Sequence, residues 1–280
     1  VYAEANCETQ ATANADGIRV RESYSTDAKW WQKRSTFMKL IADTHSHTLA
    51  SGHAYSTIRE MVRAAFEKGM EAFAITEHGP KMPDSCGRYY FNNLRVVPRK
   101  LEGVDLFLGV EANLMDPEGT LDLREDILKQ MDIVIASIHV PCYGLEHTEK
   151  ENTNAYLKAM ENPYVHVIGH PDDGRFPVDY EAMVKKAKET HTLIEVNNSS
   201  LSPIGFRKDT HKNMKEILTL CKQYEVCITT SSDAHIDVDA ANFCYVEEIL
   251  RACDFPEELV ATTNLELLKS FLNCGEKDYR

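Results

Sequence analysis

From residue 38 onward the chain alternates between short apolar runs and stretches whose apolar residues recur at helical spacing. "KLIADTHSH" (39–47) is an apolar run that ends in histidines. In "STIREMVRAAFEKGM" (56–70), Ile58, Met61, Val62, Ala65 and Phe66 fall on one helical face and Gly69 supplies a stop. "EAFAITEH" (71–78) is the next strand candidate. A long loop follows, "GPKMPDSCGRYYFNN" (79–93), rich in glycine, proline and aromatics and long enough to be functional.

The same alternation continues to the end of the chain. "DLFLGVEANL" (105–114) precedes a helix in "TLDLREDILKQM" (120–131), and "DIVIASIH" (132–139) precedes one in "TNAYLKAMEN" (153–162). "VHVIGH" (165–170), "TLIEVNN" (192–198) and "VCITTSSDAH" (226–235) are further strands, with helices near 179–190, near 209–224 and in "NFCYVEEILRAC" (242–253). "PEELVATT" and "LELLKSFLN" close the pattern. Strands followed in turn by helices or long loops predict an α/β fold with a parallel sheet and right-handed crossovers. A TIM-like barrel fits better than an open sheet, because nearly every strand ends in a chemically capable residue. Barrels gather their active sites from several strand ends, whereas open sheets concentrate ligands at one switch point. No glycine-rich phosphate loop follows the first strand, which weakens a nucleotide-binding reading.

Residues 1–37 break the pattern. "VYAEANCETQATANADG" is small and polar with no sustained period, and Met38 opens "MKLIADTHSH" as a protein start would. The expected organisation is a partly disordered or loosely packed extension over 1–37 and a hydrolase barrel over 38–280.

The strand-end residues carry the chemistry. They are His45 and His47, His78, Glu111, His139, His170, Asp233 and His235, with His53 in the first loop. Residues two apart on a strand share a face, so His45 with His47, and Asp233 with His235, can converge on one cavity. Imidazole and carboxylate together suit zinc, manganese or iron. So many candidate ligands suggest two or three ions with a carboxylate such as Glu111 bridging. His166, His191, His211 and His147 lie away from strand ends and read as ordinary structural histidines.

Formal net charge is −13, which argues against a general nucleic-acid binder but not against a small anionic substrate beside bound cations. None of the eight cysteines makes a CxxC pair, and no apolar run reaches the roughly 18 residues of a membrane helix. The N-terminus lacks an apolar signal core. Free thiols in a cytoplasmic, non-membrane protein are therefore expected.

Six segments in chain order resemble the motifs of the PHP superfamily, named for polymerase and histidinol phosphatase. They are "DTHSHT" (43–48), "ITEHG" (75–79), "GVEAN" (109–113), "ASIH" (136–139), "IGHP" (168–171) and "SSDAH" (231–235). "SGHAYST" (51–57) and "EVNNSS" (195–200) are similar to the YcdX-type phosphatase subgroup, and the resemblance spans roughly residues 38–272. It implies a distorted (β/α)7 barrel with a trinuclear metal centre, often zinc. His45, His47, Glu111 and Asp233 would hold one ion. Glu111, His139 and His170 would hold a second, and His53, His78 and His235 the third. Glu111, Asp233 and His139 would serve catalysis through metal-bound hydroxide. Glu77 departs from the family pattern, which usually has Asp before that histidine, and so do the residues after the proline in "GHPDDGRF".

The implied activity is hydrolysis of a small phosphorylated metabolite, a phosphomonoester. Arg88, Arg95 and Arg99, near the long loop, are candidates to grip the phosphate. Tyr55, Tyr89, Tyr90 and Phe91 either wall a leaving group or pack the loop, with packing favoured. A phosphodiesterase or exonuclease of the same superfamily is the nearest alternative, disfavoured by the acidic charge. A non-catalytic metal-binding regulatory domain would be expected to have lost ligands. An amidohydrolase would carry a lysine or carboxylate bridge after the fourth strand, where this chain has "IASIHV". A homo-oligomer, such as a trimer, is compatible with the sequence.

Overall fold

The structure, a computed structural model, describes residues 38–273 and, ahead of them, two short strands, Ala11–Ala13 and Arg19–Arg21, paired antiparallel. The expectation of a loose extension over 1–37 otherwise lies outside the described residues. Seven parallel strands follow in sequence: β1 (Ala42–Asp43), β2 (Ala72–His78), β3 (Val104–Asn113), β4 (Ile133–Ser137), β5 (Val167–Ile168), β6 (Leu193–Asn197) and β7 (Ile228–Ser231). Each pairs with the next in chain order, and a short antiparallel strand, Lys100–Leu101, is added to the start of β3.

Strand alternation sorts residues onto two faces. In β2, Phe73 and Ile75 face outward into the main apolar core with Met61 and Val62. Ala72 and Ala74 face inward with Ala42, Phe107, Ile133, Ile135, Val167 and Leu193. Small residues on β1 and β2 opposite large ones on β3 and β4 fill the interior, so it is a packed core and not a pore. Leu268 and Leu272, from and just after the last helix (Leu265–Phe271), join this inner cluster.

Helix α1 (Ile58–Glu67) starts at a capping box: Thr57 Oγ1 accepts from the Glu60 amide and Glu60 Oε2 accepts from the Thr57 amide. Met61, Val62 and Ala65 are buried as the periodicity predicts, whereas Phe66 is exposed. Gly69 follows the helix at φ +79°, a conformation that favours glycine. Helix α2 (Glu149–Ala159) begins four residues ahead of the expected 153, because Thr148 and Glu151 form a second capping box. The helix expected over 120–131 is a single turn, Glu125–Leu128. Its leading residues fold back instead: Leu121 bridges Leu114 and Asp122 accepts hydrogen bonds from Asn113. Helices α3 (Tyr180–Thr190), α4 (Thr210–Tyr224) and α5 (Cys244–Ala252) lie within a residue or two of their predicted places.

The barrel is nearly closed, and its seam lies between β7 and β1. There the chains meet just beyond the strands: Ser46 bridges Ala234, the Asp233 amide donates to His45 O at 2.9 Å, and the His47 amide to Ala234 O at 2.9 Å. Below this bridge, residues 260–262 wedge into the gap, with the Ile41 amide donating to Thr262 O and Val260 bridging Ile228. Buried Asp43 ties the seam further, accepting from the Ser232 amide at 3.0 Å, Ser232 Oγ at 2.6 Å and the Ala241 amide at 2.9 Å. The seam therefore brings residues 45–47 and 233–235 side by side. No helix among the described residues is long and apolar enough to cross a membrane.

Candidate metal centre

All nine strand-end and first-loop candidates sit at the C-terminal rim, eight of them close around Glu111 or one another's ligand atoms and His53 at the outer edge. The register of β2 with β3 sets Glu111 opposite His78, and their side chains meet at His78 Nδ1–Glu111 Oε2, 2.6 Å. The same carboxylate reaches His45 Nε2 at 3.4 Å and His47 Nε2 at 3.6 Å through Oε2. Its other oxygen reaches His170 Nε2 at 2.9 Å and His139 Nε2 at 3.2 Å. Asp233 Oδ1 lies 3.3 Å from His47 Nε2 and 3.6 Å from His45 Nε2. On the solvent side, His53 Nε2 approaches His78 Nε2 at 3.1 Å, and the His235 ring packs 4.4 Å from that of His47 and 5.0 Å from that of His53. Two of these residues hold positive φ, His170 at 29° and Asp233 at 53°, a local strain common where backbone is bent to aim a functional side chain.

The partners behind the rings fix which nitrogen faces the cluster. His45 Nδ1 lies 2.7 Å from Glu195 Oε1, an acceptor, so Nδ1 carries the proton and Nε2 presents a lone pair. Ser51 Oγ donates to Glu77 at 2.5 Å, which leaves it an acceptor for His47 Nδ1–H at 3.2 Å. Asn113 Nδ2 donates to Asp122 at 2.6 Å, so its Oδ1 accepts from His139 Nδ1–H at 2.8 Å. The carbonyl of Asp233 does the same for His235 Nδ1–H at 3.0 Å. Four imidazole Nε2 atoms are thereby aimed inward, and that of His45 stands 3.0 Å from that of His47. His78 Nδ1 and Glu111 Oε2 are buried and make no hydrogen bond to each other or to any other atom. Converging nitrogen and carboxylate donors in a largely buried pocket are the donor set of a borderline divalent cation. Three overlapping groups have ligand atoms close enough to share one: His45–His47–Glu111, His78–Glu111–His139 and His47–His78–His235.

The protonation states agree. Burial and the neighbouring His78 and His235 hold His47 well below the ordinary histidine value and bring His53 to about 4. Burial also lowers His139 and His235. Burial opposes ionisation of Glu111 and Asp233, but the histidines around both and Arg207 beside Asp233 outweigh it and hold both carboxyls well below their usual range. His45 is the exception: burial is outweighed by Glu195, Glu111 and Asp233, which raise it well above the ordinary value. The carboxylates that favour a second proton on His45 would equally favour a cation in its place at Nε2, with release of that proton.

Glu195 and Arg207 lie outside the sequence-based expectation, and Glu77 enters it only as a departure from the family pattern. Glu195, wholly buried in β6, accepts from His45 Nδ1, Ser231 Oγ (2.6 Å), the His170 amide (2.7 Å) and Asn197 Nδ2 (3.2 Å). Arg207, on the loop after β6, places Nη2 and Nη1 3.3 and 3.4 Å from Asp233 Oδ2. Glu77 uses its extra methylene, relative to the Asp of the family pattern, to accept from the Thr48 amide (3.0 Å), Thr48 Oγ1, Ser51 Oγ and Tyr90 OH (3.1 Å). A lone glutamate in the apolar run "TLIEVNN" is the available signal for Glu195, and "GFRKD" gives none for Arg207 beyond its place after a strand.

Of the predicted phosphate-gripping arginines, Arg99 lies away from the cluster. Arg99 pairs with Asp132 at 2.6 Å, just ahead of β4 and at the opposite end of the barrel from the histidines. Arg88 is exposed beside the Tyr89 ring, and Arg95 is exposed. Phe91 packs in the core and Tyr90 binds Glu77, but Tyr55 and Tyr89 are exposed. His166 accepts from the Val134 amide, His191 stacks on Phe271 and His147 contacts Tyr143 O, all clear of the cluster.

Residues 43–202 match the PHP domain family. Two curated relatives, both named "Probable phosphatase", are 45% identical over 86% of this chain and 94% of their own length (Caldanaerobacter subterraneus subsp. tengcongensis) and 46% identical over 86% and 97% (Clostridium novyi). This chain belongs to the PHP domain family. The histidinol phosphate phosphatase of Lactococcus lactis, solved with zinc, L-histidinol and phosphate, shares the PHP fold. Its TM-score is 0.55 at 18% identity, over 78% of this chain and 95% of that one.

Proposed function

We propose that this PHP-family phosphatase removes the phosphoryl group from a small phosphomonoester at a centre of three divalent ions, zinc being the best fit to the donors. His45, His47, Glu111 and Asp233 would hold one ion, and Glu111, His139 and His170 the second. His53, His78 and His235 would hold the third. Ions bound there supply a nucleophilic hydroxide at neutral pH and clamp the phosphate oxygens. The observation that carries the reading is the convergence of five histidines on the single carboxylate of Glu111.

The chain's own groups do the rest. Glu195, Ser51–Glu77 and Asn113 lock the ring tautomers. Arg207 is a permanent cation held at the edge of the centre by Asp233, placed to bind a phosphate oxygen and offset charge as the ester bond breaks. Burial opposes its charge, but Asp233, Asp172 and Glu111 hold it firmly protonated. The phosphatase names of the relatives, and the zinc and phosphate bound to the L. lactis enzyme, support this reading.

Activity on para-nitrophenyl phosphate against its bis-ester, with metal content measured on the same sample, tests it. The monoester should be preferred with close to three ions per chain, and preference for the diester would overturn the assignment. Glu111→Gln removes the shared charge, so it should lower metal content and abolish turnover while the fold survives.

A further inference from the structure

The outermost of the three positions differs from the others in what supports it. His45, His47, Glu111 and His170 are buried and borne on or directly beyond strands, whereas His53 is exposed on a loop and His235 is partly exposed. His53 therefore depends on whatever fixes the loop 48–53. That loop rests on Glu77. The carboxylate lies outside the barrel interior, on the Phe73–Ile75 face of β2, and is completely buried.

Each Glu77 oxygen takes two donors: the Thr48 amide and Ser51 Oγ on one, Thr48 Oγ1 and Tyr90 OH on the other. Three of these come from the first loop. The fourth comes from the helical turn Arg88–Asn93 in the long second loop. Ser51 Oγ also accepts from the His78 amide at 3.1 Å. The two loops press together nearby: Gly52, at φ +75°, lies so close that a Cβ there would stand 2.2 Å from Asp84 O. His53 N donates to Ser51 O at 2.8 Å, so His53 hangs directly from the anchored turn.

We propose that Glu77 is a positioning residue for the outermost metal, holding His53 over His78 and His235 by clamping the first loop to the second. The proposal rests on the three-ion reading above. It places the clamp's effect on one ion only. His47, which also hears Glu77 through Ser51, keeps its place because its amide is pinned to Ala234 O across the seam, and keeps its tautomer in Glu77→Gln because Ser51 Oγ can still donate to the glutamine oxygen. In Glu77→Gln the amide nitrogen faces Thr48 Oγ1 and Tyr90 OH, which turn from donors to acceptors; all four bonds become neutral instead of charge-assisted, so the clamp weakens while volume is kept.

The test is a zinc titration of the full chain against a competing chelator, with metal counted by mass spectrometry and folding followed by circular dichroism. Glu77→Gln should weaken the weakest zinc phase by at least about tenfold and leave the tighter phases within about twofold. Adding Glu77→Gln to His53→Ala should change zinc binding no further, since both act on the same ion. Equal weakening of every phase, an unchanged titration, or additive losses in the double variant would overturn the proposal. If Glu77→Gln does not fold, Tyr90→Phe removes one clamp bond at the surface of the network. It should weaken only the weakest phase, by about threefold, and an unchanged phase would equally overturn the proposal. The wild-type titration separately judges the three-ion reading: fewer than three zinc ions there would sink that reading, whereas the clamp is judged by the difference between variant and wild type.

Discussion

Glu195→Gln tests how far the centre depends on a residue that would touch no ion. Its carboxylate is wholly buried and surrounded by donors alone: His45 Nδ1–H, Ser231 Oγ–H, the His170 amide and Asn197 Nδ2. A glutamine of the same shape must point its NH2 at one of these two pairs. If it faces His45, the ring can be satisfied only by accepting at Nδ1, which moves its proton to Nε2 and removes that ligand. If it faces His170, an amide N–H at the base of another ligand is left without an acceptor. Loss of such a supporting partner lowers metal affinity about 10–100-fold, or about 1.4–2.7 kcal/mol. One buried donor left unpaired costs stability of about 1–3 kcal/mol besides. Zinc titration against a chelator, read beside thermal unfolding and turnover of a phosphomonoester, separates the two effects. Zinc affinity within about twofold of wild type would refute the tautomer argument, even if the melting temperature fell.

Arg207→Ala should lower kcat/KM on the order of 100-fold and weaken inhibition by inorganic phosphate, with Arg207→Lys recovering little because the fork geometry is lost; unchanged phosphate inhibition would remove Arg207 from the site. Arg99→Ala should leave turnover intact but destabilise the barrel by about 1–3 kcal/mol, since mostly buried Asp132 loses its ion partner; denaturant unfolding and steady-state kinetics on one preparation check both halves. Burial raises Asp172 to about 7, partly offset by the hydrogen bond from Ser200 and by Arg207. A carboxyl with a raised folded value binds more protons folded than unfolded, so metal-free protein should lose stability as pH climbs from about 4 to 7, by about 4 kcal/mol from this group. Asp172→Asn should flatten that slope in pH-resolved urea unfolding of chelated protein, and an unaltered slope would contradict it.

The strand-end histidines are legible because a barrel turns sequence periodicity into place. A residue two positions past an inward alanine or isoleucine is again inward, so Ala74 and Ile135 point ahead to His78 and His139. Helix ends are legible where their chemistry is local, as at Gly69. What escapes depends on long-range pairing. Nothing near Arg207 in the chain announces that Asp233 will lie beside it, and nothing near Glu195 announces His45. Arg99 misleads because nearness in sequence to the long loop is not nearness in space: by that residue the chain has already returned to the start of β3. The helix expected over 120–131 fails for a related reason. Asp122 is drawn back to Asn113, which donates to it through both its amide and its side chain, instead of continuing a helix.

The rim crowds groups that a folded chain seldom brings together. His45 Nε2 and His47 Nε2 stand 3.0 Å apart, and His53 Nε2 and His78 Nε2 3.1 Å apart, so four imidazoles crowd one small volume. Buried Glu111 keeps an oxygen with no hydrogen bond. His170 and Asp233 hold left-handed backbone. Such features persist only where the surroundings over-determine them, here through Glu195, Asp43 and the seam hydrogen bonds. A cation would give these nitrogens and the unpaired oxygen a common partner at once, and only in the folded state. The rigid second layer is therefore what converts an unfavourable cluster into affinity, and binding returns that affinity as stability in proportion to the logarithm of ligand over dissociation constant. The layer should be the part least tolerant of shape change, and the exposed His53 edge the part where ions come and go.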